Sequence, residues 1–494
     1  VQTLSTYPAK RLCGILIALA TAASVQLHAA KKLSDRLDSL LNTWTTIPGL
    51  QPAQWGISVW DATQMKEIGG KNQNTLLIPA SIQKILTSFA ALETFGSTYR
   101  YSTTVGHTGK IDADGVLNGN LIIIGSGDPS LGSRKFSATQ SDKLLNLIVN
   151  TVTRAGIKQI SGNIIADASL FSLPLANWSW SWEDLGAYYG AGASAIAYRD
   201  NYAQLFLRPI QSTGSWEWNW EKPAPTGITI ENLLETGPAK GKNQVRILGT
   251  EFQTTRILSG VVRADERQLA LRVSLPNPAL ALAQGLYDAL SDSGIEVKGQ
   301  AEAKYSGPQP YSSVTPLLAV KSPTLIELIT EVNKESNNLY AEHLFKSMGS
   351  EQFGKGNSET GKLSLQRFWT GKGLVERELV LEDGSGLSRY NAISAGNMTK
   401  ALVYIATSPI FTEFLTTLPR SGMEGTLKNV GTANQQKGKV WAKSGSMSKV
   451  RAYAGFTYHS NGSLICFTLM LNQHALSGKE LKELTESFWN LLLT

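Results

Sequence analysis

The chain predicts an α/β fold of the α+β type: one antiparallel sheet flanked by helices, assembled from both ends of the sequence, with a β-rich insertion between them. Three observations carry that expectation. Alternating or wholly apolar runs at 55–61, 452–456 and 464–471 read as strands that can share a sheet. Apolar residues at helical spacing flank them, and from about residue 100 the texture changes to short strands and turns. At 494 residues and 42% hydrophobic, the chain is long enough for two or three domains and is neither disordered nor fibrous.

Taken in order, Lys10 and Arg11 precede the apolar run Leu12 to Leu19 and then Ala20-Thr21-Ala22. That is the pattern of a cleaved signal segment, with a second candidate cut near Ala29 or Ala30, so export is expected with 1–30 removed. The run is short for a membrane span, and no later stretch approaches ~20 uninterrupted apolar residues. Cys13 lacks the small residues before it that a lipid-anchor signal needs. Cys466, in an apolar strand pattern, is then alone in the exported chain and has no intrachain disulfide partner. Trp55 to Asp61 alternates as a strand, Gly69-Gly70 marks a turn, and Leu76-Leu77-Ile78 is a second short strand. Ile82, Ile85, Leu86, Phe89 and Leu92 then repeat at helical spacing, and Gly96 stops the helix.

Further along, Leu121 to Ile124 reads as a strand running into Gly125-Ser126-Gly127-Asp128-Pro129. Pro129 and the absence of a following Gly-Lys-Ser/Thr make that a tight turn, not a phosphate loop. An amphipathic helix is expected at 142–155, with Leu144, Leu145, Leu147, Ile148 and Val152 on its apolar side, then a strand at 163–167. From about 187 to 275 the pattern is mostly alternating strand, and 279–293 returns to helix. Two helices span roughly 325–348, interrupted by Asn333 to Asn338. The final helix, with Leu481, Leu484, Phe488 and Leu491 on one face, is expected to pack on the terminal strands.

Formal charge is +7, and loss of Lys10 and Arg11 leaves 44 − 39 = +5. No Lys/Arg block accompanies it, so nucleic-acid binding is not expected and at most loose contact with an anionic envelope is. His28, His107, His343, His459 and His474 are isolated. Without His-Glu-x-x-His, a Cys/His cluster or Gly-x-Ser-x-Gly, the signals of zinc hydrolases and α/β-hydrolases are missing, and a serine enzyme here would use a base other than histidine.

Pro79-Ala80-Ser81-Ile82-Gln83-Lys84 supplies such a base. Residues three apart share a helix face, so the Ser81 hydroxyl and the Lys84 amine can meet, provided burial lowers the amine pKa enough to free a lone pair. Two further elements fit around this pair. Ser336-Asn337-Asn338 lies in the break between two helices, where side chains can point into a cleft. Lys443-Ser444-Gly445-Ser446 reads as an edge strand in which Gly445 permits close backbone approach.

In these three elements the chain resembles the penicillin-binding proteins and serine β-lactamases. Asp383-Gly384-Ser385-Gly386-Leu387-Ser388-Arg389 and Gly127-Asp128-Pro129-Ser130-Leu131 resemble the low-molecular-mass class C group, the D-alanyl-D-alanine carboxypeptidases and endopeptidases. The resemblance implies a β-lactamase/transpeptidase-like domain with two inserted β-rich domains. It divides the chain into 31–105 and 315–494 for the first, 106–186 and 276–314 for one insertion, and 187–275 for the other. It also implies peptidoglycan peptide stems as substrate, β-lactams as covalent inhibitors, no cofactor and no metal. Ser81 would be the nucleophile and Lys84 its base, Ser336 would relay a proton to the leaving amine, and Asn338 would bind the substrate amide. Lys443 would hold the terminal carboxylate, with Ser444, Gly445 and Ser446 lining the substrate. The family pattern has Thr where Ser444 stands, which keeps the hydroxyl. Trp182 to Gly190 resembles the stretch that lines the pocket for the free end of the stem peptide. There Asp184 would bind the amine of a diaminopimelate residue, Arg389 its carboxylate and Met447 its aliphatic stem.

Two rivals remain open from the sequence. A serine β-lactamase would share the nucleophile and differ in deacylation. A non-catalytic glycan-binding module would use the alternating sets Trp178, Trp180, Trp182 and Trp216, Trp218, Trp220, each expected on one face of a strand and more simply explained by packing between sheets.

Overall fold

The computed structural model describes residues 32–210, 215–307 and 313–494, so the signal segment expected at 1–30 lies outside the described residues. The chain divides into two compact units. One comprises the residues up to Ile82 with Leu374–Leu379 and Ala392–Thr494; the other comprises Gln83–Gly373 with Val380–Asn391.

The first unit is organised by a five-stranded sheet in the order Lys66–Lys71, Gln54–Asp61, Leu464–Asn472, Val450–Tyr458, Val440–Met447. Gln54 pairs with Asn472 and Asp61 with Ile465, so strands from opposite ends of the sequence lie side by side and antiparallel. Leu464–Asn472 is buried throughout, as expected for a central strand covered on both faces. On one side Leu481, Leu484, Phe488 and Leu492 of the Gly478–Leu493 helix join Leu37, Leu41 and Trp44 in a core with Ile57, Val59, Phe467 and Leu469. Ser477 and Glu480 form a capping box at that helix's start. The Ala395–Thr407 helix is also largely buried, and the Thr399 hydroxyl is hydrogen-bonded to the Thr468 hydroxyl (2.8 Å) and to Ser58 O (3.3 Å) on the central strands.

Among the described residues the second unit holds six α-helices, four of them in one cluster, and several further sheets. Lys84–Phe95, Leu325–Lys334, Asn338–Phe353 and Ser358–Gly371 pack together, and Trp369 donates its indole N–H to Leu86 O (3.1 Å). A five-stranded and a four-stranded sheet enclose a core that includes Val105, Leu117, Ile123, Ile148, Ile164 and Leu286, sealed by the helices Ser141–Arg154 and Pro278–Asp292. In the first of those helices Leu147 points outward, 42% exposed, while Leu144, Ile148, Val149 and Val152 are buried. Two three-stranded sheets follow, built from Tyr202–Pro209, Trp216–Trp220 and Leu269–Ser274, and from Thr229–Gly237, Gln244–Leu248 and Thr255–Arg263. Thr229–Gly237 and Thr255–Arg263 run parallel.

The tryptophan sets separate here. Trp216 and Trp220 pack with Leu205, Leu207 and Val273, whereas Trp218 between them is 38% exposed. Trp178, Trp180 and Trp182 are not on a strand. They lie in a loop ending in a 3-10 turn, because Asn177 Oδ1 accepts hydrogen bonds from the Ser179 N–H (2.9 Å) and hydroxyl (2.7 Å) and bends the chain. Trp180 is buried, and Trp178 and Trp182 face outward.

Candidate active site

In the first unit, Ala80–Gln83 opens a 3-10 turn that continues into the Lys84–Phe95 helix, and the unit boundary falls between Ile82 and Gln83. Ala80 sits at φ +48°, a left-handed conformation that costs a non-glycine residue about 1–3 kcal/mol and survives only where its surroundings impose it. Two contacts impose it here. Just before the turn, the Ile78 N–H donates to Asn472 Oδ1 (2.8 Å) and Asn472 Nδ2 donates back to Ile78 O (3.2 Å). On the other side lies Val440–Met447, at the edge of its sheet. A Cβ added at Gly445 would stand 2.7 Å from Pro79 O and 3.0 Å from the Ser81 nitrogen. The close approach that Gly445 permits is therefore between this strand and the turn that bears Ser81. Alternation along the strand places Lys443 and Gly445 on one face and Ser444 and Ser446 on the other. Lys443 is buried and its Nζ donates to Ser444 O (3.0 Å). Ser446 is exposed and Met447 half-buried at the strand's end.

In the second unit, Lys84 is fully buried. Its Nζ donates to Asn338 Oδ1 (2.7 Å) and Ser385 O (2.6 Å). Burial lowers the amine from its usual range to about 7, outweighing the nearby Asp383 and Glu342 carboxylates, which act to raise it. Asn338 opens the Asn338–Phe353 helix and donates its amide to Tyr189 O (2.8 Å). Ser336, in the break before that helix, has φ +60°. It lines a cavity of about 210 Å³ together with Asn338, Tyr189, Lys135 and Arg272.

Asp184 accepts the Tyr189 hydroxyl (3.1 Å), so a continuous chain of contacts runs from Asp184 through Tyr189 to Asn338 and Lys84. Burial raises the Asp184 carboxyl, and the Tyr189 hydrogen bond and Arg389 charge pull it back down. Asp184 and Arg389 thus belong to one electrostatic neighbourhood, whereas Met447 is part of the other unit.

Sequence reasoning missed the support beneath Lys84. The Asp383-Gly384-Ser385 turn is its shelf: Ser385 offers the carbonyl, and Glu342 Oε1 accepts from the Gly384 (3.0 Å) and Ser385 (2.7 Å) N–H groups to fix the turn. Asp383 gathers the rest, accepting Gly386 N (2.7 Å) and Asn391 Nδ2 (2.8 Å) on one oxygen and Ser388 N (2.7 Å) and Trp180 Nε1 (2.8 Å) on the other. Burial pushes the Glu342 carboxyl up and the Lys346 amine, one helical turn on, down; each charge opposes the shift of the other. The available signal was spacing, since Glu342 is four residues after Asn338 and shares its helix face.

Among the described residues no group of three or more His, Cys, Asp or Glu side chains is arranged to hold a metal ion. The chemistry on offer is a serine, a buried amine with a depressed pKa and a second buried lysine on an edge strand. This is the equipment of a serine hydrolase of the penicillin-binding class. The model of the D-Ala-D-Ala carboxypeptidase 3 (S13) family matches residues 34–491, and the chain belongs to that family of serine carboxypeptidases. It is 28% identical over 478 residues to a D-alanyl-D-alanine carboxypeptidase of Actinomadura sp. (strain R39), covering 94% of this chain and 85% of that one. It is 25% identical over 431 residues to the D-alanyl-D-alanine carboxypeptidase DacB of Haemophilus influenzae, covering 86% and 87%. The crystal structure of penicillin binding protein 4 (dacB) from Haemophilus influenzae superposes with a TM-score of 0.79 at 24% identity, over 92% of this chain and 99% of that chain. That similarity establishes a shared fold, the transpeptidase/β-lactamase-like architecture expected from the motifs.

Proposed function

We propose that Ser81 attacks the carbonyl between the two terminal D-alanines of a peptidoglycan stem peptide. D-alanine leaves, the acyl chain is held as an ester on Ser81, and water hydrolyses that ester. Lys84 takes the hydroxyl proton, Ser336 passes a proton to the leaving amine, and Asn338 holds the substrate amide while fixing Lys84. Lys443 attracts the terminal carboxylate, and the Ser81 and Ser446 N–H groups stabilise the oxyanion. The observation that carries this reading is the Lys84 amine: buried, held by two oxygens, and brought to about 7, it is half neutral near physiological pH and three residues from a serine. A cross-linked peptide ending in the same D-Ala bond would react in the same way, so endopeptidase action uses the same residues.

The test is incubation of the folded protein with a labelled penicillin, followed by peptide mapping. A long-lived adduct on Ser81 is the expected result. Rapid turnover would make the protein a β-lactamase instead, and no adduct would leave only a binding module. The Haemophilus influenzae protein has itself been solved with a novel β-lactam bound.

The reading includes the peptide's free end. Asp184 binds a diaminopimelyl amine, Arg389 its carboxylate and Met447 its stem. Asp184→Ala is expected to raise KM about tenfold for a peptide bearing that amine, as loss of a charged hydrogen bond of about 1.5 kcal/mol would. An equal effect on a peptide lacking the amine would remove this assignment. The peptide substrate lies outside the cytoplasm, and the Lys10 to Ala22 pattern suits export with the signal segment cleaved. No helix among the described residues is long and apolar enough to cross a membrane.

A further inference from the structure

The outward-facing tryptophans leave one feature that peptide hydrolysis does not use. Trp178 is 73% exposed and Tyr390 is 66% exposed, and their rings lie near-parallel, 25° apart with centroids separated by 6.2 Å. Large aromatic side chains are costly to hold in water, and two of them side by side need a reason.

Their footing is rigid. Asn177 donates its amide to Glu382 O, the Ser179 and Ser388 hydroxyls are hydrogen-bonded to each other (2.7 Å), and the buried Trp180 donates its indole N–H to Asp383. Asn177, Ser179, Trp180, Asp383 and Ser388 are all buried. The loop carrying Trp178 is thus joined to the loop carrying Tyr390 by two buried hydrogen bonds and one part-buried one. Asp383 also begins the turn whose Ser385 carbonyl receives Lys84. The loops that carry the rings are therefore fixed by the same frame that positions the base, so their backbone need not be ordered when something stacks on them.

We propose that Trp178 and Tyr390 form a stacking platform for an N-acetylhexosamine ring of the glycan strand to which the stem peptide is attached. This rests on the peptidoglycan reading above. Size selects the occupant. Two aromatic side chains offer at most about 150–250 Å² each, far below the ~800 Å² per partner of a stable protein interface, yet they match the apolar face of one or two pyranose rings. Position agrees, because Tyr390 follows Arg389, the residue assigned to the carboxylate of the diaminopimelyl side chain. A substrate held at both ends, by its peptide and by its sugar, would be preferred over the free peptide.

The platform is testable without turnover. Binding of a peptide-free N-acetylglucosamine tetramer is read by tryptophan fluorescence and by ligand-observed NMR, for the wild type, Trp178→Ala, Tyr390→Ala and Ser81→Ala. Binding by the wild type and Ser81→Ala, lost in both aromatic variants, is expected. Kinetics then compare a disaccharide-linked pentapeptide with the same pentapeptide free. KM for the linked substrate is expected to rise about tenfold in each aromatic variant, with KM for the free peptide and kcat for both unchanged. No tetramer binding by the wild type, binding retained in the aromatic variants, or equal losses on both substrates would each overturn the proposal. If the tetramer binds as expected but no penicillin adduct forms on Ser81, it is the catalytic reading that fails and the platform that stands.

Discussion

Replacing Lys84 with methionine is expected to slow acylation of Ser81 by penicillin ~10²–10⁴-fold, the usual contribution of a positioned general base. The wild-type rate should follow the neutral fraction of the amine. With the amine at about 7, it rises roughly tenfold per pH unit below neutrality and levels off above about pH 8. That inflection should vanish in Lys84→Met. The same shift has a stability consequence of definite sign. The unfolded lysine keeps its proton up to about 10.5, whereas the folded one releases it near 7, so between those values the unfolded chain holds more protons. The Lys84 penalty is therefore full below about 7 and relaxes as pH rises toward 10.5. Methionine also strands the Asn338 and Ser385 oxygens, so circular dichroism must confirm the fold before rates are compared. Unchanged acylation in Lys84→Met, with a large loss in Lys443→Ala, would move the base to Lys443 acting through Ser336.

How much of this site was legible follows from what each residue's surroundings add. The terminal strands were readable because a strand buried on both faces is apolar nearly throughout, as Leu464 to Leu471 is apart from Thr468, whose hydroxyl is bonded to Thr399. The Ser81 helix was readable from its period, but its 3-10 opening and the left-handed Ala80 were not. They are imposed by Asn472, some 390 residues away, and by the edge strand that Gly445 lets in. Glu342 was not singled out by any motif. It is buried because the Asn338–Phe353 helix is enclosed on nearly every side, which flattens the amphipathic pattern that would have marked its inner face. The Trp178 to Trp182 alternation imitated a strand, and a single asparagine turn cancelled it. Motif residues were recoverable from spacing; the groups that set their geometry and charge came from elsewhere in the chain.

Gly445→Ala is expected to cost more activity than its single methyl suggests. The added Cβ would meet Pro79 O at 2.7 Å and the Ser81 nitrogen at 3.0 Å, and both are backbone atoms that cannot swing aside. One of two things must yield. The turn is held by the paired Ile78–Asn472 hydrogen bonds and by the strained Ala80, so its adjustment is resisted. Val440–Met447 is an edge strand: its first residues are tied to Pro419–Ser421, but at Gly445 its ladder partner is Ala452 of Val450–Tyr458, and this end is the part that should move outward. That motion separates the Ser446 N–H from the Ser81 N–H, the two donors assigned to the oxyanion. Loss of one such donor is worth ~10²–10³ in rate, so acylation should fall by about that factor. Overpacking of this kind should reduce unfolding free energy by only about 1–3 kcal/mol, measurable by urea titration. Ser444→Thr, on the opposite face of the same strand, keeps the hydroxyl and serves as the control, with its acylation rate expected near wild type. Wild-type acylation by a folded Gly445→Ala protein would mean that the strand's closeness to Ser81 is packing alone and that the oxyanion donors lie elsewhere.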